Sequence, residues 1–179
     1  MNFRTASAIA FLLGKKSGFN PQDVEDFLAG FIKGVINEND LDKIEVCLKD
    51  ASSLETELEQ AITDFKNGDI THITEGIMII GKMVQELPTD LGDCQAMQAD
   101  LTRLESWAAI FSNPKALAAA LAKNVPSNMS NIEQDIIKLM ADVKTDEMFY
   151  AGEDIADILV QAVGPAPSSM PETLEITQW

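Results

Sequence analysis

Two runs of helical periodicity meet at one tight corner, Asn67-Gly68-Asp69, and nothing else in the chain limits its fold as strongly. Before the corner, Leu54, Leu58, Ile62 and Phe65 recur at helical spacing; after it, "DITHITEGIMIIGKMVQEL" continues the pattern. Gly68 suits the left-handed residue that ends a helix, and Asp69 suits the cap of the next. Ser53 is expected to cap the first helix and Pro88 to stop the second. Helices joined by so short a link run antiparallel, as a hairpin.

The rest of the chain reads the same way. Alternating runs of Val, Ile and Thr, the mark of half-buried strands, do not occur in it. Asn20-Pro21 opens a helix whose stripe is Phe27, Leu28, Phe31, Ile32 and Val35. Gly30 and Gly34 lie one turn apart on it and are read either as a groove for a ligand or partner helix, or as close packing inside the bundle. A short helix is expected over "DLDKIEVCLKD". A further helix carries Met97, Leu101, Leu104, Ala108 and Phe111 on one face. Pro126 is expected to end the helix begun at "PKALAAALAKN", leaving a last hairpin of "NMSNIEQDIIKLMADVK" and "DEMFYAGEDIADILVQAV". "GIMIIGKMVQEL" aligns without a gap to "GEDIADILVQAV"; internal duplication and convergence of two amphipathic hairpins both account for it. The expected class is all-α, a bundle of tandem antiparallel hairpins. It divides into an apolar, basic N-terminal segment (1–19), a bundle (20–164) and a Pro-rich extended tail (165–179). The N-terminal segment is read as a first helix packed on the domain, with a secretion signal and a mitochondrial presequence as competing readings.

Chemistry is thinly supplied. A net charge of −16 excludes nucleic acid, which needs clustered Lys and Arg, and no apolar run is long enough for a membrane span. "DFKNGDITHITE" (64–75) and "DVKTDEMFYAGE" (142–153) have the outline of calcium loops. Each places a lysine, Lys66 or Lys144, where the second ligand is needed, and neither has its glycine at the turn position. The single histidine, His72, cannot build a His-rich zinc site, and two cysteines cannot build an all-cysteine one. No phosphate-cradling glycine loop and no nucleophile motif is present. The reading is of a non-enzymatic protein with no catalytic residue, metal or cofactor.

The cysteines are more informative. Cys47 lies seven residues before Leu54 and Cys94 seven after Leu87, so the hairpin brings both to its open end. A disulfide there would close a long loop and stabilise by roughly 4 kcal/mol in the chain-entropy model. It would place the protein outside the cell or in a lumenal oxidising space; the mitochondrial intermembrane space and the cytoplasm are the alternatives. Asn128-Met129-Ser130 is an acceptor triplet for N-glycosylation.

In "DCQAMQADLTRLESWAAIFSNPKALAAALAKN" and "YAGEDIADILVQAV" the chain resembles a group of uncharacterised helical proteins of ciliates and related protists, a resemblance spanning roughly residues 25–165. It implies no activity and no site residues. Two functions follow from the residues themselves. One is a structural or assembly protein docking to other proteins, with Leu174, Ile176 and Trp179 of the tail as anchors. The other is a secreted carrier holding a lipid or other apolar small molecule in a pocket lined by Phe27, Phe31, Ile77, Ile80 and Met83.

Overall fold

The computed structural model describes residues 18–48, 51–91 and 94–167. Within them lie seven α-helices: α1 (Pro21–Ile36), α2 (Leu41–Cys47), α3 (Ser52–Asn67), α4 (Ile70–Asp90), α5 (Gln98–Ala108), α6 (Pro114–Thr145) and α7 (Met148–Val163). Single 3-10 turns at Gln95–Met97 and Ala109–Ser112 flank α5, and no strand occurs among the described residues.

Caps and turns explain most of the boundaries. The Asn20 side chain accepts from Asp23 N–H at 3.0 Å and the Asp23 carboxylate accepts from Asn20 N–H at 2.8 Å, a reciprocal pair that satisfies two orphan donors of α1. Gly68, at φ 74°, turns the chain from α3 into α4, and Asp69 caps α4 through His72 N–H at 3.1 Å. Asp146, at φ 66°, makes the equivalent corner between α6 and α7. Both stretches with the outline of a calcium loop are therefore helix corners.

Three expectations about helix ends are corrected. Ser53 does not cap α3; Ala51 holds the cap position, without a side-chain bond, and Ser53 lies inside the helix. Pro88 does not stop α4, which runs to Asp90, because a proline in the final turn removes one backbone bond and has little helix left to break. Pro126 does not end a helix either: α6 is continuous from Pro114 to Thr145. Polar side chains just beyond the proline take up the carbonyls around the break. Ser127 Oγ donates to Lys123 O at 2.8 Å and Asn128 Nδ2 to Asn124 O at 3.0 Å. The helix "NMSNIEQDIIKLMADVK" is thus the second half of α6.

The two hairpins, α3/α4 and α6/α7, are joined by α1, whose main neighbour is α7. This seam explains the glycines. A Cβ on Gly30 would lie 1.7 Å from Phe149 O, one on Gly34 2.4 Å from Ala156 Cβ, and one on Gly152 2.1 Å from Phe27 O and 2.7 Å from Phe31 N. The helices meet backbone to backbone, so Gly30 and Gly34 serve close packing inside the bundle. The aligned glycine of the first hairpin, Gly76, instead faces the Phe65 ring of its own hairpin partner, with a Cβ position 3.0 Å away. The core runs continuously through both hairpins, with Phe27, Phe31, Leu58, Phe65, Ile77, Ile80, Met83, Ile132, Leu139 and Ile155 all buried.

Candidate binding clefts

The cysteines lie where the hairpin argument puts them. Cys47, at the end of α2, and Cys94, after α4, form a disulfide with a Cα–Cα distance of 5.5 Å. The bond spans 47 positions of sequence and turns the α3/α4 hairpin into a closed ring.

The five residues expected to line a pocket do not line any of the clefts described here. Phe27, Phe31, Ile77, Ile80 and Met83 are each fully buried in the core, where their side chains fill the interior between α1 and α4 and its neighbours. The apolar cavity lies on the other face of α4. Ile70, Thr74 and Met78 of α4 oppose Leu117, Leu121 and Val125 of α6 across a cleft of about 450 Å³, with Phe111 at one end. Both walls repeat at a spacing of four, so each presents one stripe of a helix. Ile70 and Met78 are about half exposed, at 53% and 52%. A second depression shares Met78, Phe111 and Leu117 and runs on to Lys82 and Gln85, so the groove follows α4 past the ring of Phe111.

Phe111 is placed by two features. Gly81 leaves room for it, since a Cβ there would lie 2.2 Å from the ring. Trp107 packs edge-on against it, with ring centroids 5.8 Å apart, and the stack continues from Trp107 to Phe31 at 6.2 Å and on to Phe27 at 6.3 Å. Trp107 Nε1 also donates to Gly164 O at 2.8 Å, fixing the end of α7.

A second cleft, of about 580 Å³, is acidic. It opens between α6 and α7 against Gly34 of α1 and is lined by Asp142, Glu153, Asp154, Asp157, Lys138 and Tyr150. Asp154 is buried, and its Oδ2 has no hydrogen-bond partner. Burial, followed by the carboxyl of Asp142 beside it, pushes the Asp154 carboxyl up to about 7. Lys138 bridges to the buried Asp135 at 2.7 Å, and Asp135 also accepts from Gln161 Nε2 at 2.6 Å.

The remaining sequence candidates are quickly placed. His72 pairs with the Asp69 carboxylate at the exposed start of α4; that bond raises the imidazole above its ordinary range, while the His72 backbone N–H first and the imidazole second lower the carboxyl. Asn128 sits within α6 and donates its Nδ2 to Asn124 O and, at 3.1 Å, to Gln161 O of α7. A glycan on that nitrogen would disrupt both bonds. Leu174, Ile176 and Trp179 lie outside the described residues, as does the N-terminal segment through residue 17. No helix among the described residues is long and apolar enough to cross a membrane.

The family described as secreted protein B-like (SctB-like) matches residues 12–161, most of the chain. The chain belongs to this secreted protein B-like family. The resemblance to uncharacterised helical proteins of ciliates and protists is corrected accordingly, since the match that spans the bundle is to a different family. No curated protein and no solved structure matches the chain. Membership of a secreted-protein family and the Cys47–Cys94 bond are together consistent with an extracellular location.

Proposed function

We propose that the protein is a secreted, non-enzymatic recognition protein whose apolar groove between α4 and α6 receives the amphipathic helix of a partner protein. The observation that carries this reading is the pair of stripes at a spacing of four that line the cleft from facing helices, Ile70–Thr74–Met78 with Ile70 and Met78 half exposed, and Leu117–Leu121–Val125, buried at its base. Such a groove has the shape of a seat for a third helix. From Ile70 to Gln85 it follows α4 for about 22 Å, or four helical turns. With a net charge of −16, the chain favours a partner whose polar face is basic. Against an enzyme stands the situation of the single histidine, His72, which pairs with Asp69 on an exposed helix start and lines neither cleft.

The second reading, a carrier of an apolar small molecule, is favoured by the size of the groove. Its 450 Å³ falls within the range of small-molecule sites. One experiment separates the two. A photo-crosslinker is placed at Met78 and, as a control, at Glu105, and the protein is secreted from its source cells. A discrete protein adduct formed from Met78, absent from Glu105 and lost with Ile70→Asp, with the cross-linked peptide helical and amphipathic in pattern, supports docking. A lipid in the native mass spectrum that Ile70→Asp removes supports the carrier. Equal labelling from Met78 and Glu105 with no bound lipid overturns both.

A further inference from the structure

The groove between α4 and α6 lies beside the point where α7 gives way to the Pro-rich tail. Trp107 joins the two places: its Nε1 donates to Gly164 O at 2.8 Å, and its ring packs on Phe111, at one end of the groove, with centroids 5.8 Å apart. Ala166 still packs against the core, so the chain stays on the bundle past that bond. Residues 168–179 follow, and Leu174, Ile176 and Trp179 are among their large apolar side chains. Seven positions separate Pro167 from Leu174, a flexible reach of about 15 Å. Residues 174–179 add at most about 20 Å when stretched, against a groove of about 22 Å along α4. Half-exposed Ile70 and Met78 are the apolar surface there to be covered. Among the described residues no carboxylate lines the groove, and Lys82 stands at its Phe111 end, so Glu172 and Glu175 of the tail meet no like charge in the lining.

We propose that residues 168–179 of this chain lie in the groove of the free protein, with Leu174, Ile176 and Trp179 covering Ile70 and Met78. The proposal rests on the groove being a docking seat, as read above, and adds an occupant: an internal competitor that a partner helix must displace. A tether this short gives an effective concentration on the order of millimolar, so contacts too weak to hold a free peptide hold the tail.

The test uses the full chain, purified alone and dilute, with its disulfide intact. A photo-crosslinker replaces Met78 and, as a control, Ile137, which is more exposed, at 69%, and lines none of the clefts described here. A monomeric adduct joining α4 to a peptide within residues 168–179 is expected from Met78. Its yield should be about tenfold that from Ile137, as a tail seated about nine-tenths of the time would give. Leu174→Asp combined with Ile176→Asp should remove it. No tail adduct from Met78, equal yields from the two positions, or an adduct that survives the double variant overturns the proposal. So does a tail adduct that runs as a dimer, which would assign the groove to a second copy. Acrylamide quenching gives an independent reading. Subtracting Trp179→Phe from wild type isolates Trp179 from the buried Trp107. Ile70→Asp should raise quenching of that component about twofold or more, since a charge in the groove unseats the tail; unchanged quenching overturns the proposal. A partner adduct from Met78 in secreting cells, with no tail adduct in the purified chain, sinks this proposal and leaves the docking reading standing; a tail adduct with no partner adduct does the reverse.

Discussion

Gly152→Ala sets two large effects against each other. In an ordinary helix, exchanging glycine for alanine stabilises by about 1 kcal/mol, because alanine loses less conformational freedom. At position 152 the new methyl would lie 2.1 Å from Phe27 O and 2.7 Å from Phe31 N. Comfortable contact needs about 3.5 Å, so α1 and α7 would have to part by roughly 1 Å along their seam. Both obstacles are backbone atoms of α1 and cannot rotate away as a side chain would. Overpacking of this kind costs about 1–3 kcal/mol or more, and separating the helices also loosens Phe27, Phe31 and Ile155. The clash should win by about 2 kcal/mol net, lowering Tm by about 4–8 °C for a chain of this length. Urea and thermal unfolding followed by circular dichroism measure it. Gly30→Ala, with its methyl 1.7 Å from Phe149 O, should cost at least as much. The double variant should cost less than the sum, since either methyl alone opens the same seam. A Gly152→Ala protein as stable as wild type or more so would show that the helices do not meet backbone to backbone, and the account of the fold would fail.

Four further outcomes are expected. Replacing Cys47 and Cys94 with alanine removes a bond spanning 47 positions and should cost about 4 kcal/mol in denaturant titrations, with the α3/α4 hairpin becoming the first site of limited proteolysis. The Asp154 carboxyl, ordinarily near 3.8, is raised to about 7 in the fold, so the folded state holds more protons than the unfolded one between those values. Stability should therefore fall as pH rises from about 4 to 7, and in Asp154→Asn this decline should be shallower, with higher stability at pH 8. Pro126→Ala restores a backbone donor inside α6 and should raise stability by about 1–3 kcal/mol, read from the urea midpoint. Gly81→Ala pushes on the ring of Phe111, which is partly exposed and can turn; global stability should change little while cross-linking from Met78 drops, a dissociation that separates cleft shape from folding.

The helices were legible wherever a local interaction sets them. Asn20 with Asp23, Gly68 and Asp69 act within a turn of themselves, and each does in the structure what its type implies. Pro88 and Pro126 misled because a proline's effect depends on what happens to the carbonyls around the break: Ser127 and Asn128 rescue those near Pro126, and almost no helix follows Pro88. The disulfide was legible because a hairpin's geometry is local too. The clefts were not. Ile77, Ile80 and Met83 share α4 with Ile70 and Met78, and only the way the other helices pack on α4 decides which stripe is sealed and which is left open. Asp154 likewise resembles any acid on an amphipathic helix until α6 brings Asp142 beside it. Gly152 carried no signal of its true partner, since that partner is a helix more than a hundred residues earlier.

That distance has a consequence for how the molecule is made. Among the described helices α1 finds its chief surface on α7, so its apolar stripe stays without its proper cover until α7 has been made. The α3/α4 ring can close early, being local, but the assembled bundle cannot. Until α7 is present the seam glycines of α1 have no surface to meet, and the bundle locks into shape only when both helices are there.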